Sequence, residues 1–180
     1  DDTIAAISTP IGEGGIAIIR VSGAQSLEIA DAIFVSSRGR PSSFPTHTIH
    51  FGSIGRNGER LDQVMLSVMR APRTYTAEDV VEINSHGGPL VARSILSLCL
   101  KHGARLAEPG EFTKRAFLNG RLDLTQAEAV MDLIRAKTDR AQSAATRALE
   151  GHLSKRIEQA REQLLTIVAH IEAHIDFPDE

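Results

Sequence analysis

An arginine stands inside an otherwise apolar run, Ile16-Ala-Ile-Ile-Arg-Val-Ser22, and a glutamate repeats the pattern in Val80-Val-Glu-Ile83. A charge on a core strand is destabilising unless an opposite charge answers it. Arg20 therefore has two readings. It is an edge-strand residue with a wet outer face, or a guanidinium aimed into a pocket at an anionic or carbonyl-bearing ligand. Glu82 has three. It sits at an exposed strand position, it neutralises Arg20, or it stands beside an apolar wall and accepts paired N–H donors of the kind pterin or guanine rings present. A second cation, Arg121, follows Gly120 at the junction of two differently patterned halves and could reach a ligand between them.

Other constellations carry less chemistry. Gly12-Glu-Gly-Gly15 resembles a phosphate-cradling loop, but such a loop needs a helix after it and here a strand follows, so a tight hairpin-like turn is expected. No G-x-x-x-x-G-K-[ST] occurs, so this chain by itself carries no P-loop. Ser85-His-Gly-Gly-Pro89 lacks the G-x-S-x-G spacing of a nucleophile elbow and reads as a sharp strand-to-helix turn, whose Gly87 and Gly88 N–H groups could contact a ligand. His170-Ile-Glu-Ala-His174 puts two imidazoles one helical turn apart, but the glutamate is displaced from H-E-x-x-H and no third ligand stands out. A solvated helix face is expected there. Cys99 reads as a core residue. No catalytic side chain and no metal site is assigned.

The elements that position these residues follow from periodicity. Strands are expected over 3–9 and 15–22, a short helix over 24–34, and a Gly/Pro/Ser loop over 36–46. Strands over 47–54 and 61–70 form a hairpin with Arg56-Asn57-Gly58 at its tip, and 79–84 alternates like a strand. A helix over 89–102 has Pro89 in its first turn and Gly103 just past its end. In 108–123 a short capped helix with a Gly120 stop turns Phe112, Phe117 and Leu118 inward. Thr125-Gln-Ala-Glu128 reads as a capping box, and one long helix is expected over 139–176. At that length it would reach roughly 55 Å, and its apolar stripe would need a helix of its own chain or a second subunit. The fold class is α+β over 1–118, followed by an all-α segment over 119–180.

Composition sets the outer limits. The 180 residues are 42% hydrophobic and 24% charged, which is globular. Twenty Lys and Arg against 23 Asp and Glu give a net charge of −3, so no global basic field grips nucleic acid. A lone cysteine excludes an internal disulfide or a cysteine cluster for zinc, and no apolar run approaches membrane-spanning length. The opening Asp1-Asp2 is not the basic start of a signal peptide. A soluble protein of a reducing compartment is expected, without a membrane partner.

Several blocks together resemble one family. They are Thr9-Pro-Ile-Gly-Glu-Gly-Gly15, Arg20-Val-Ser-Gly23, Tyr75-Thr-Ala-Glu-Asp-Val-Val-Glu82, His86-Gly-Gly-Pro89, Pro109-Gly-Glu-Phe112, Arg115-Ala-Phe-Leu-Asn119, Leu122-Asp-Leu-Thr-Gln-Ala-Glu-Ala129 and Ile175-Asp-Phe-Pro-Asp-Glu180. In this order they resemble the MnmE (TrmE) family of tRNA modification GTPases over nearly the whole chain. The resemblance implies an N-terminal mixed-sheet domain similar to tetrahydrofolate-binding domains, which dimerises and binds 5-formyl-tetrahydrofolate. It further implies the first part of a central helical domain. It carries the family's folate contacts onto Arg20, Glu82 and Arg121; many relatives have lysine at the last position, and arginine keeps the charge but changes the geometry.

The same resemblance implies a cytoplasmic enzyme. With the flavoprotein MnmG (GidA) it would install an aminomethyl or carboxymethylaminomethyl group on carbon 5 of the wobble uridine of tRNA. GTP, Mg²⁺ and K⁺ would belong to a GTPase domain inserted beyond this chain, which alone should not hydrolyse GTP. Two other readings stay open. One is a stand-alone folate-dependent aminomethyltransferase, which needs a catalytic acid in the pocket. The other is a dimerisation scaffold in which Arg20 and Glu82 merely pair.

Overall fold

The computed structural model describes residues 2–56 and 59–176. The chain divides into two compact units, Asp1–Arg121 and Leu122–Glu180.

In the first unit, β-branched alternation builds β1 (Ile4–Ile7) and β2 (Gly14–Ser22), joined through Pro10 and the Gly12-Glu-Gly14 turn as an antiparallel pair. The helix α1 (Ser26–Ile33) ends before the expected residue 34. Phe34 is extended and, with Val35, forms a short β3 (Phe34–Val35) against β4 (Thr48–Arg56). Pairing with a neighbouring strand here overrides the helical spacing. β4 pairs antiparallel with β5 (Glu59–Met69), while the expected Asn57-Gly58 tip lies outside the described residues. β6 (Val80–Gly87) runs into α2 (Pro89–Lys101), with Gly88 as N-cap, Pro89 in the first turn and Gly103 at φ +110° beyond the end. A two-residue β7 (Arg105–Leu106), which no alternation announced, adds parallel to β1.

The sheet order is β3-β4-β5-β6-β2-β1-β7, with β1–β7 its parallel pair among the described strands. It is the expected mixed sheet of an α+β fold. Period-two alternation gives it two unlike faces. Ala17, Ile19, Val21, Val64, Leu66, Val68, Val81 and Ile83 turn one way and form the core with α1 and α2. On the other face Ile16, Ile49, Phe51 and Met65 are exposed. One end of that face is covered by the 71–79 segment and by α3 (Glu111–Leu118), which starts after Gly110 in the left-handed region at φ +78°. Phe117 and Leu118 of α3 are exposed, not inward as expected, because Ala116 and the half-buried Phe112 occupy its packed side.

The second unit is helical, with α4 (Leu124–Arg135), α5 (Asp139–Leu149) and α6 (His152–Asp176). Two expectations are corrected. The capping box is built by Asp123 and Gln126, not by Thr125 and Glu128: Gln126 N–H donates to Asp123 Oδ1 at 2.9 Å and Asp123 N–H to Gln126 Oε1 at 2.9 Å. The single long helix is two, because Gly151 adopts φ +75° and stops α5 in the left-handed region. The apolar spacing runs through the break and conceals it. No helix among the described residues is long and apolar enough to cross a membrane.

Candidate functional site

The register of β2 against β6 sets Arg20 opposite Glu82. Both residues fall on the face that α1 and α2 leave uncovered, which is why a guanidinium and a carboxylate persist in apolar strands. Arg20 Nε and Nη2 both reach one oxygen, Glu82 Oε1, at 2.8 and 2.7 Å. Two groups are left over. Glu82 Oε2 and Arg20 Nη1 have no hydrogen-bond partner among the described residues, and the Arg20 and Glu82 side chains remain 25% and 21% exposed. The flanking strands place small residues beside the pair, Ala6 opposite Arg20 and Ser67 opposite Glu82.

Two aromatic rings complete the surroundings. The Arg20 guanidinium carbon lies over Tyr75, 5.3 Å from its centroid, and over Phe112, 5.4 Å from its centroid. Tyr75 belongs to the 71–79 segment and Phe112 to α3, and the Tyr75 hydroxyl meets Thr113 Oγ1 at 2.8 Å. The segment is held within itself and to the residue after α3: Thr74 Oγ1 donates to Glu78 O at 2.6 Å, and Asn119 Nδ2 donates to Thr76 O at 2.7 Å. Ser22 Oγ, two residues along β2 from Arg20, contacts Thr76 Oγ1 at 2.6 Å and Glu78 Oε2 at 2.7 Å.

The same segment and helix are tied by an ionic network. Arg115, well buried, bonds Glu78 Oε1 at 3.1 Å, Glu111 Oε1 at 3.3 Å and the Asp2 carboxylate at 2.6 Å. Arg105 meets Glu111 and Asp2 from the other side. The Arg105 hydrogen bond holds the Glu111 carboxyl down at about 2, and the Asp2 carboxyl likewise at about 2. These groups are charged and paired through the neutral range, so they fix α3 and the 71–79 segment to the strand ends.

Of the three residues expected at the site, the structure brings Arg20 and Glu82 together. Arg121 is exposed; its N–H bonds Ala116 O at 2.8 Å, and its side chain joins the pair through no ion pair or hydrogen bond among the described residues. Ser85 is buried and donates to Ala17 O at 3.3 Å, which is a strand-locking role and not that of a nucleophile. His86 is exposed and bonds Asp62 at 2.7 Å. Gly87 lies opposite Gly14 in the β2–β6 register. His170 and His174 sit on an exposed face of α6, and no group of three metal-ligating side chains occurs among the described residues. Cys99 is fully buried, as expected of a core residue. The sequence reading missed Tyr75 and Phe112. Their signal was scarcity, since the chain holds one Tyr, six Phe and no Trp, and both fall in blocks that carry the resemblance.

Comparison with known proteins agrees with this organisation. The family model described as GTP-binding protein TrmE N-terminus matches residues 3–121, and the one described as MnmE helical domain matches residues 124–180. The chain is 60% identical over 181 residues to the tRNA modification GTPase MnmE of Geobacillus kaustophilus (strain HTA426). It is 58% identical to the proteins of that name from Bacillus subtilis (strain 168) and Enterococcus faecalis (strain ATCC 700802 / V583). Each alignment takes in 99% of this chain, which spans 39% of the length of these relatives. With one model covering the sheet unit, the other the helical unit and the likeness unbroken between them, the chain belongs to the MnmE (TrmE) family.

Proposed function

We propose that this chain is the folate-binding and dimer-forming part of a tRNA modification GTPase. The observation that carries the reading is the half-satisfied pair. Glu82 gives one oxygen to Arg20 and keeps Oε2 for a donor, while Arg20 keeps its Nη1–H groups for an acceptor. A charged pair built only for stability gains from satisfying every donor and acceptor. A pair open on one side, among aromatic rings, fits the polar edge of a planar heterocycle with N–H and C=O groups. 5-Formyl-tetrahydrofolate offers such an edge. Arg20 and Glu82 would hold its pterin ring, and Arg121 would meet its glutamate tail as a charge at longer range.

Dimerisation through the first unit is supported by the uncovered sheet face, where Ile16, Ile49 and Phe51 are 65%, 62% and 61% exposed. The family's activity is proposed for the complete protein. It would use GTP, Mg²⁺ and K⁺ in the length of the relatives that this chain does not match, tRNA as substrate, MnmG as partner, and a cytoplasmic location. The aminomethyltransferase reading needs an uncommitted acid at the site, and Glu78 and Glu82 are both engaged by arginines. The scaffold reading draws on the ion pair itself.

Calorimetric titration with 5-formyl-tetrahydrofolate, beside Arg20→Ala and Glu82→Ala, separates them. Saturable binding that both substitutions abolish supports the folate site. Absence of binding by a folded, dimeric chain overturns it in favour of the scaffold.

A further inference from the structure

We infer that Tyr75 and Phe112 are positioning residues of this site, which hold the Arg20 guanidinium so that a ligand meets its edge and not its flat surface. The inference rests on the folate reading for the identity of the ligand, but its geometry stands on the chain alone. A guanidinium offers a flat surface for stacking, a side edge of Nε–H and Nη2–H, and an end edge of Nη1–H and Nη2–H. Here Cζ lies over both aromatic rings, and the side edge is engaged by Glu82 Oε1. What remains is the end edge, next to Glu82 Oε2. A ligand that hydrogen-bonds to Nη1 therefore lies in the plane of the guanidinium, presenting an acceptor to Arg20 and an N–H to Glu82. That selects a ring with adjacent carbonyl and N–H groups over one that would stack on the arginine.

The rings are themselves fixed. The Tyr75 hydroxyl is tied to Thr113, one residue beyond Phe112, so the two rings move together. Arg115 joins Glu78 of the Tyr75 segment to Glu111 of the Phe112 helix. A ring meant only to fill space would need neither tie. Loss of either ring would let the long arginine side chain swing, and a ligand would then have to order it on binding.

Two measurements test this. In the ligand-free chain, the Arg20 Nε–H resonance is expected to be displaced by ring currents and slowed in hydrogen exchange. Tyr75→Leu and Phe112→Leu should return it towards ordinary arginine positions, whereas Phe112→Tyr should leave it and Tyr75→Phe, which keeps the ring but loses the tie to Thr113, should fall between. In titrations with 5-formyl-tetrahydrofolate, the two leucine variants should weaken binding about five- to tenfold each, Phe112→Tyr less than twofold, and Tyr75→Phe by an amount between these. Leucine variants that are folded and bind like the unaltered chain overturn the inference. So does an undisplaced Arg20 resonance in the unaltered chain, which decides the matter even where a leucine variant fails to fold. If no folate binds at all, the proposed function fails, while the resonance still reports whether the rings hold the guanidinium.

Discussion

Arg20 and Glu82, 62 residues apart in sequence, stand directly opposite each other on β2 and β6 and meet through a single carboxylate oxygen. A cross-strand ion pair of this exposure contributes about 0.2–1 kcal/mol, and a well-packed apolar pair at the same positions would hold the strands at least as well. Stability alone therefore does not account for charges at these two places. Their orientation towards the sheet face opposite α1 and α2, beside small Ala6 and Ser67 and the rings of Tyr75 and Phe112, is what a binding site requires.

Exchanging the two charges separates pairing from recognition. The double substitution Arg20→Glu with Glu82→Arg keeps an ion pair in the same register, and its unfolding free energy should stay within about 1 kcal/mol of the original. Folate binding should be lost, because the cation then stands on β6, away from the rings. Each single reversal places like charges opposite one another and should be less stable than the exchange. Undiminished folate binding by the exchanged chain would show that the ligand does not read which strand carries which charge.

Acid should loosen the first unit through Glu111. Its carboxyl is held at about 2, below the ordinary value of 4.5, chiefly by Arg105. A depressed carboxyl stabilises the fold at pH values above the unfolded value, and that contribution fades as pH falls from about 5 to about 2. Asp2 is shifted the same way but is more exposed, so salt weakens its share. Urea unfolding of Glu111→Gln should show a penalty at pH 7 that shrinks steadily towards pH 3. A penalty independent of pH would mean that the amide loses packing and not charge.

The strands that carry the site were legible because their alternation is local. Ile16 to Ser22 and Val80 to Ile83 announce themselves, and a charge among such residues is conspicuous. The helix boundaries in the second unit were not. The three-and-four spacing from Leu149 to Ile157 is continuous whether or not Gly151 turns left-handed, and only its φ of +75° separates α5 from α6. The cap at Asp123 was hidden by a second, equally well-formed pattern two residues later. Tyr75 and Phe112 converge on Arg20 through tertiary packing of a loop and a helix, which no periodicity encodes. β7 is two residues long, too short for alternation to appear.

Cys99 should be chemically silent in the folded chain. It is fully buried on α2, and burial pushes its thiol up to about 12. At pH 8 roughly one thiol in ten thousand is then ionised, and the thiolate is the reactive form. A disulfide reagent should label it only as fast as the chain opens, with labelling accelerating through the urea transition. Labelling within seconds under native conditions would place Cys99 at an accessible surface and contradict its position between α2 and the sheet.

Gly87 tests whether the register of β2 on β6 carries the site. A Cβ at this position would lie 2.2 Å from the carbonyl oxygen of Gly14 and 2.9 Å from the backbone nitrogen of Ile16. Both are backbone atoms that no rotamer change can move aside. They flank the place where the pairing register shifts between Gly14 and Ile16, upstream of Arg20. A slip of one residue there would turn Arg20 to the opposite face of the sheet. Gly87→Ala should therefore cost about 2–3 kcal/mol in stability and also weaken folate binding, although Gly87 touches neither Arg20 nor Glu82. Gly88→Ala is the control, since its Cβ would meet only Val91 Cγ2 at 3.9 Å and should cost less than about 1 kcal/mol. If Gly87→Ala destabilises the chain yet leaves folate affinity unchanged, the bulge secures the sheet without setting the register at Arg20, and the site is fixed by its pairing with Glu82 alone.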